Sequence, residues 1–381
     1  MERDELLLVH GADMAAMAHV ALAAAHIEDL IPAGALVALK PNLVVSKDAS
    51  SGATTHPELV EAVIAYLRGK GFSKLVIMEG SWVGDATARA FEAAGYNALS
   101  RRTGVPLGDL PNDSWKRYDA GGLWRIAVCD QAMRAPFMIN LPVIKGHCQT
   151  TITCALKNLK GCMPDDEKSR FHAEGLHEPI ARLNTVLRPG FILADGICGD
   201  LDFEEGGNPV RMDRLVAGRD PVLLDAYVCR LLGHDLADVP CIGIAESLGV
   251  GSADLSLARI TTIGDVRGAP AIPPASGKAK RLVSRIEERS ACSACYAALV
   301  HGLARLDERG GLPRLDAALA SMPEARIAIG QGFRGSGRKG IGCGVCTMGA
   351  ERFVPGCPPD GEAVAGFLDA VVRGQARRHG S

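Results

Sequence analysis

A run of cationic side chains directly behind an apolar stretch is the first candidate for chemistry. The segment 141–162 reads LPVIKGHCQTTITCALKNLKGC, in which Lys145 and His147 follow the apolar start and Lys157 and Asn158 come later. A histidine can accept a proton near neutral pH, and a lysine beside it can hold a carboxylate or a phosphate. Such a pair suits proton abstraction next to a carbonyl group.

Polar residues also follow other apolar runs that predict strands, namely ALKPNLV and, at a helix start, TTHPELV. Open α/β sheets bind their ligands at the edge where the carboxyl ends of the strands meet, so we predict one crevice there. Each residue alone could instead be a solvated loop residue or a helix cap. The predicted catalytic residues are His147, Lys157, His56 and Lys145. The predicted substrate-binding residues are Lys40, Asn42, Asn158 and His172.

Five cysteines near the end of the chain form a second group, in the segments CSAC, CGVC and GCPP. Two CxxC pairs could bind a tetrahedral zinc, because a two-residue spacer lets both thiolates face one ion. A cysteine before proline is typical of ferredoxin-type runs and favours an iron–sulfur cluster. We predict a [4Fe-4S] cluster, with zinc as the alternative, and Cys343 as a spare thiol in the flexible GIGCG. The predicted ligands are Cys292, Cys295, Cys346 and Cys357.

The composition is that of an ordinary globular protein, with 381 residues, 47% of them hydrophobic and 23% charged. The formal net charge of −2 argues against a nucleic-acid partner, whose binding surfaces are usually strongly basic. The start MERDELLLVHG lacks the features of a signal peptide, and no apolar stretch approaches the length of a membrane span, so we expect a cytoplasmic protein without a membrane partner. Cytoplasmic thiols stay reduced, which favours metal binding or catalysis over disulfides.

The elements that must position these residues alternate in a βαβ rhythm. Short runs such as ELLLVH, KLVIMEG and RITTIG alternate with helical patterns such as PELVEAVIAYLRGKG, and WRIAVCD and RLVAG predict further strands. This indicates an α/β fold with a mostly parallel sheet and helices on both faces. The stretch RGAPAIPPASGKAK is typical of a linker. We expect a large α/β domain at 1–266, a linker at 267–280 and a smaller α/β iron–sulfur domain at 281–381.

Within the smaller domain, apolar periodicity predicts helices near 294–306, 312–320 and 361–374 and a strand at RIAIG. The segment GQGFRGSGRKGIGCG is expected to be a glycine-rich loop. In the large domain, FHAEGLH is expected to be a mobile loop over the site, because His172 and His177 would not share a helix face.

Several of these segments together resemble the domain-of-unknown-function 362 family, bacterial and archaeal proteins often fused to iron–sulfur modules. The segments are LKPNLV, TTHPELVEAV, LPVIKGH with LKNLKG, LNTVLRPGFILADGI and GRDPVLLDAYVCRLLG. The resemblance implies a large domain of this type over roughly residues 35–251. The family name implies no activity.

The large domain also resembles, more distantly, the N-terminal domain of nickel-pincer lactate racemases. The order and spacing of their site residues match His56 in TTHPE, His147 in IKGH, Lys157 in ALKN and His172 in RFHAE. The glycine pair that precedes the lysine in the racemases is replaced here by Ala155 and Leu156. The resemblance therefore implies a shared fold with a site in the same place, without the nickel cofactor.

These observations lead us to expect an iron–sulfur enzyme, of redox or lyase type, that acts on a small anionic substrate at a crevice lined by lysine and histidine. One alternative is an electron-transfer or assembly protein without its own chemistry. Another is a racemase-like or epimerase-like enzyme in which the cluster is structural. A redox partner protein and self-association into a homo-oligomer are compatible with each.

Overall fold

The computed structural model describes residues 1–266, 268–273 and 278–374. They divide into two compact units, each described here by itself. Within the described residues, unit 1 comprises residues 1–168, 176–266 and 268–273. Unit 2 comprises residues 169–175 and 278–374. The linker predicted at 267–280 falls partly on Arg267 and 274–277, which lie outside the described residues, and the predicted domain boundaries stay predictions.

Unit 1 is built on strands that alternate with helices. Its strands are β1 (Glu5–His10), β2 (Val37–Pro41), β3 (Leu75–Glu79), β4 (Leu107–Asp109), β5 (Trp115–Asp119), β6 (Arg125–Cys129), β7 (Phe137–Leu141), β8 (Lys145–His147), β9 (Thr151–Thr153), β10 (Phe191–Asp200), β11 (Pro209–Gly218) and β12 (Arg259–Gly264). Its helices are α1 (Met14–Ala24), α2 (Pro57–Gly69), α3 (Thr87–Ala93), α4 (Tyr96–Thr103), α5 (Asp130–Arg134), α6 (Ala155–Asn158), α7 (Asp165–Ala173, which ends in unit 2), α8 (His177–Val186), α9 (Pro221–Leu231) and α10 (Pro240–Ser247).

Eight of these strands form one sheet in the order β12-β1-β11-β10-β7-β2-β3-β4. Strand β11 runs antiparallel to both of its neighbours, and the other pairs are parallel. The predicted α/β fold with a mostly parallel sheet is confirmed. The strand predicted at WRIAVCD forms, but it pairs as β6 with β5 in a separate antiparallel hairpin. The connection between them is too short for a parallel crossover.

Side-chain alternation along the central strands separates an apolar face from a face that carries polar groups. Leu39 and Ile139 belong to the apolar core that also contains side chains of α1 and α2. Lys40 and Asn140 are paired in register on β2 and β7 and are fully buried. Because successive side chains of a strand point to opposite faces, both lie on the other face of the sheet.

Helix α2 shows how the sequence sets an element that borders this sheet. Pro57 occupies the first helical turn, where its missing N–H costs nothing, and Glu58 complements the positive end of the helix dipole. The helix then buries an apolar stripe against the core. His56 is the residue immediately before the helix, so its position is fixed by the helix start.

Unit 2 contains a four-stranded parallel sheet in the order β13-β14-β15-β16, numbered along the chain. Its strands are β13 (Ile286–Glu288), β14 (Ile327–Ile329), β15 (Ile341–Cys343) and β16 (Arg352–Val354). Its helices are α11 (Lys278–Val283), α12 (Ser293–Glu308), α13 (Leu312–Ala320) and α14 (Gly361–Val372).

Two expectations about loops are wrong. Strand β15 lies inside the segment expected to be a glycine-rich loop, where Ile341 and Cys343 are buried. His172 belongs to helix α7 and does not lie in a loop. The first turn of α7 carries three acidic residues, which complement the helix dipole and favour a helix there.

No helix among the described residues is long and apolar enough to cross a membrane.

Candidate functional site

Lys40 and Glu79 form a buried ion pair at the carboxyl ends of β2 and β3. Lys40 Nζ donates to Glu79 Oε2 at 2.5 Å and to the carbonyl oxygen of Pro41 at 2.9 Å. The Lys40 side chain is fully buried and that of Glu79 is 3% exposed. Gly161 lies against the pair, since a Cβ there would be 1.9 Å from Glu79 Oε1 and 2.8 Å from Lys40 Nζ. Only glycine fits this close approach.

Three asparagines link the ends of β2 and β7 to helix α6. Asn42 Nδ2 donates to Asn158 Oδ1 at 2.8 Å, and Asn158 Nδ2 donates to Asn140 Oδ1 at 2.7 Å. Asn140 Nδ2 donates in turn to the carbonyl oxygen of Ala155 at 2.9 Å. All three asparagines are buried, so this hydrogen-bonded chain fixes α6 against the strand ends.

Asp225 of α9 holds the start of α6. Its two carboxyl oxygens accept from the backbone N–H groups of Ala155 and Leu156 at 2.7 and 3.0 Å. Burial raises the pKa of Asp225 to about 7, although both N–H donors favour the ionised form. These contacts set the position of Lys157 and Asn158, which follow on the same turn.

Lys145 on β8 is a fully buried amine surrounded by neutral acceptors. Its Nζ donates to Asn42 Oδ1 at 3.1 Å and to the backbone oxygens of Glu204 at 2.7 Å and of Ala53. Burial lowers the pKa of Lys145 to about 7, since no carboxylate accepts a hydrogen bond from this amine in the part of the chain that the structure describes. Lys145 therefore links β2 and two loops, and near neutral pH it exists in both protonation states.

Glu204 bridges His147 and Lys157, the residues that the sequence predicts to move a proton and to bind an anion. Its Oε2 lies 2.5 Å from Lys157 Nζ, and its Oε1 lies 2.9 Å from His147 Nε2. The side chain of Glu204 is 2% exposed. Burial opposes its ionisation, but the contacts with His147 and Lys157 outweigh burial and hold the pKa of Glu204 well below its usual range.

The protonation state of His147 follows from its contacts. Its Nδ1 accepts from the backbone N–H groups of Gln149 and Thr150 at 2.9 and 3.0 Å, so the proton of the neutral ring is on Nε2. Burial lowers the pKa of His147 to about 4, which keeps the ring neutral near pH 7. The Nε2–H and Glu204 Oε1 are close but do not form a well-aligned hydrogen bond.

Sequence reasoning missed Glu204. It lies on the loop between β10 and β11, whose start is held by Asp200. The carboxylate of Asp200 accepts from the backbone N–H groups of Asp202 and Phe203, both at 2.9 Å, and of Asn208 at 2.8 Å. The run of acidic residues in GDLDFEEGG, directly behind the predicted strand FILADGI, is the signal that could have found it.

His56 pairs with Asp195. Asp195 Oδ2 lies 2.8 Å from His56 Nδ1 and accepts from the backbone N–H of His56 at 2.9 Å. Burial works to lower the pKa of His56, but the charge of Asp195 outweighs it and raises that pKa above its ordinary value. Asp195 is fully buried and the His56 side chain is 14% exposed, so this pair can orient a proton donor.

The structure thus joins six of the eight predicted crevice residues in one buried network: Lys40, Asn42, Lys145, His147, Lys157 and Asn158. His172 lies in unit 2, where its Nε2 is 3.3 Å from Ser293 Oγ. Lys157 retains some contact with solvent, since its side chain is 10% exposed.

The predicted cluster cysteines all follow the strands of the unit 2 sheet. Cys292 precedes α12 and Cys295 lies in its first turn, while Cys346 follows β15 and Cys357 follows β16. Because the four strands are parallel, these segments leave the sheet at the same edge. The pKa of Cys295 is raised to about 12, first by burial and then by the neighbouring thiols of Cys292, Cys357 and Cys346.

The donor set at this edge, four thiols, suits an iron–sulfur cluster by its chemistry. Among the described residues, no group of three or more His, Cys, Asp or Glu side chains is arranged to hold a metal ion. Two side chains already donate toward the sulfurs, Arg334 Nε to Cys346 at 3.4 Å and Gln331 Nε2 to Cys292 at 3.7 Å. Such donors stabilise thiolates that bind a metal.

The remaining cysteines are buried, apart from Cys148 and Cys198, which are half-buried. Cys343 is 1% exposed on β15, and burial raises its pKa. Burial also raises the pKa of each thiol in unit 1, which makes these cysteines poor nucleophiles and poor metal ligands. They are Cys129, Cys148, Cys154, Cys162, Cys198, Cys229 and Cys241.

Comparison with known proteins identifies the family. The family described as "Domain of unknown function (DUF362)" matches residues 37–230, which is half of the chain and contains the whole buried network. The chain belongs to the DUF362 family. It is also similar to a thylakoid-associated protein of Synechocystis sp., with 28% identity over 233 residues that cover 58% of this chain and 70% of that relative. The DUF362 match includes Glu204, Asp195 and Asp225.

Proposed function

We propose that this DUF362 protein is an iron–sulfur enzyme, of redox or lyase type, that acts on a small anionic substrate at the buried network of unit 1. The observation that carries the proposal is the convergence of Lys157, His147 and Glu204, with Lys145 bonded to the Glu204 backbone. A network that served packing alone would not need an amine and an imidazole whose pKa values burial brings near or below neutrality.

Each residue has a role that follows from its contacts. Lys157 holds one oxygen of the anion, because its side chain is 10% exposed whereas those of Lys40 and Lys145 are fully buried. His147 donates a hydrogen bond from its Nε2–H to the substrate, because its Nδ1 already accepts from two backbone N–H groups. Lys40, Asn42 and Asn158 hold the strand ends and α6 in place around it.

Cys292, Cys295, Cys346 and Cys357 would hold the [4Fe-4S] cluster in this proposal. When bound, the cluster supplies either electrons or a Lewis-acidic iron. Zinc remains the alternative ion for the same thiolates. A cytoplasmic location and a redox partner protein are part of the proposal.

A second candidate is an electron-transfer or assembly protein without its own chemistry. The burial of the network favours it, since Lys40 and Lys145 are fully buried and already have hydrogen-bond acceptors. In that case the network stabilises unit 1 and binds no substrate. The racemase-like alternative requires His56 and His147 to act on one substrate and stays a prediction.

The two candidates are separated by turnover in D₂O. The anaerobically prepared full chain is incubated with a panel of small carboxylates and phosphate esters, with and without methyl viologen as electron carrier, and followed by ¹H NMR for deuterium exchange or product. The enzyme proposal predicts a reaction with at least one compound, slowed about 100-fold or more in His147→Ala, the usual loss when a hydrogen-bond donor to the reacting group is removed.

Lys70→Met is the matched control, because Lys70 pairs with Glu28 on the surface of unit 1 with a 42% exposed side chain. This variant should react as fast as the wild type. A reaction that is undiminished in His147→Ala would contradict the proposed role, and no reaction with any compound would favour the second candidate.

A further inference from the structure

The carboxylate of Glu204 has the contacts that a bound substrate carboxylate would have. Its two oxygens meet two different nitrogen groups, Lys157 Nζ at 2.5 Å and His147 Nε2 at 2.9 Å. We infer that Glu204 occupies the subsite for a substrate carboxylate, and that a small carboxylate binds by displacing its side chain from Lys157 and His147. The inference rests on the proposed function and names the substrate class.

The two nitrogen groups are positioned independently of Glu204. Lys157 lies on α6, whose start is held by Asp225, and His147 lies on β8, where two backbone N–H groups bind its Nδ1. Both groups therefore keep their places when the carboxylate leaves. Two donors fixed by separate elements and directed at one planar anion are what a carboxylate subsite requires.

The backbone at Glu204 is held independently of its side chain. Lys145 Nζ holds the carbonyl oxygen of Glu204 at 2.7 Å, and Asp200 holds the backbone N–H groups at the start of the loop. The side chain of Glu204 alone has to rotate away. Its contact with His147 is the weaker of the two, since Glu204 Oε1 and His147 Nε2 have no aligned hydrogen-bond partner.

The positive charge of Lys157 is the reason why an anion would take the place of Glu204. A buried lysine without a counter-ion is strongly destabilising, so the subsite has to be filled by one carboxylate or another. When Glu204 is removed, Lys157 and His147 are left facing a space of about the size of acetate. In the wild type, the side chain of Glu204 competes with acetate for the site. Removing it should raise the apparent affinity for acetate by a factor of 1/f, where f is the fraction of time that Glu204 leaves the wild-type site open.

The experiment is rescue of Glu204→Ala by acetate in the full chain. Thermal unfolding and isothermal titration are measured with acetate and with inorganic phosphate, at constant ionic strength. We expect acetate to raise the Tm of Glu204→Ala in a saturable way and to bind about tenfold or more tightly than to the wild type. Asp202→Asn, on the same loop, is the control and should bind acetate as the wild type does.

Four results would overturn the inference. One is equal acetate affinity of Glu204→Ala and the wild type, which would make Glu204 a permanent partner of His147 and leave the proposed function standing. Another is an equal gain for phosphate, which would exclude the carboxylate class. The third is retention of the gain in the double variant Glu204→Ala/Lys157→Met. If acetate binds to neither protein, the anion site itself fails and the proposed function fails with it.

If Glu204→Ala does not fold, Glu204→Gln provides the same test. The amide keeps the volume of the side chain but removes the charge that competes with the ligand. Acetate should then bind more tightly to Glu204→Gln than to the wild type, and equal or weaker binding counts against the inference.

Discussion

Lys145 offers a pH-dependent test of the buried network. Burial lowers its pKa from the ordinary value of 10.5 to about 7. Above about pH 7 the folded protein has therefore lost the proton of this amine, while the unfolded chain keeps it up to about pH 10.5. Because the unfolded state binds more protons in this window, the contribution of Lys145 to stability rises with pH.

The size of the effect follows from the shift. A single proton changes the free energy of unfolding by about 1.4 kcal/mol per pH unit. Over the whole window the burial of Lys145 costs about 5 kcal/mol at low pH, and this cost disappears as the pH rises. Lys145→Met has no amine to titrate, so between about pH 7.5 and 9.5 the wild type should gain roughly 2–3 kcal/mol of stability relative to this variant.

The assay is urea unfolding of both proteins at several pH values, in which the difference between them isolates Lys145 from all other titrating groups. The variant also loses the hydrogen bonds to Asn42, Ala53 and Glu204, which adds an offset that does not depend on pH. Lys70→Met is the control, because its hydrogen bond with Glu28 raises the pKa of Lys70 and leaves it protonated in both states over this range. A difference that stays constant with pH for Lys145→Met would refute the reasoning.

Three further predictions concern the cluster, the ion pair and helix α6. Cys357→Ser should lose the iron and sulfide of the anaerobic protein, while Cys343→Ser, which alters a buried strand residue, should keep most of both; equal loss would make Cys343 a ligand. Lys40→Met should lower the free energy of unfolding by about 3–5 kcal/mol, because the buried carboxylate of Glu79 loses its counter-ion. The exposed pair of Lys70 is the control, and Lys70→Met should lower it by less than about 1 kcal/mol. Similar urea midpoints of the two variants would contradict this prediction. Asp225→Ala should cost about 1–2 kcal/mol by leaving two N–H groups of α6 without acceptors, and an unchanged urea midpoint would count against that role.

The strand ends of the site could be predicted from sequence because each apolar run stops at polar residues. Lys40 lies at the end of β2 and Asn42 directly after it, and Lys145 and His147 come after β7, so a rule about parallel sheets was enough to group them. Their network with Asn158 depends on how α6 folds back onto the strands, and that position is set by Asp225 from a distant helix. No local pattern reports such a contact.

The direction of β11 and the role of Glu204 were missed for a related reason. The two strands β10 and β11 are joined by a connection far shorter than a crossover helix, which already requires an antiparallel pair. The antiparallel turn then brings the acidic loop back over β8, where Glu204 meets His147 and Lys157. The strands predicted at FILADGI and RLVAG are 16 residues apart, which is long enough for a crossover, so the sequence alone did not reveal the turn. The side chain that reaches the site depends in addition on tertiary packing.

The central claim is that this DUF362 protein, which has the buried network in unit 1, also binds an iron–sulfur cluster through the cysteines of unit 2, and the most direct test is its metal content. Iron, acid-labile sulfide and zinc are quantified in the anaerobically purified full chain, together with the electron paramagnetic resonance spectrum of the reduced protein. The account predicts a brown protein with about four irons and four sulfides per chain and the signal of a reduced [4Fe-4S] cluster. A colourless protein with one zinc per chain would contradict it.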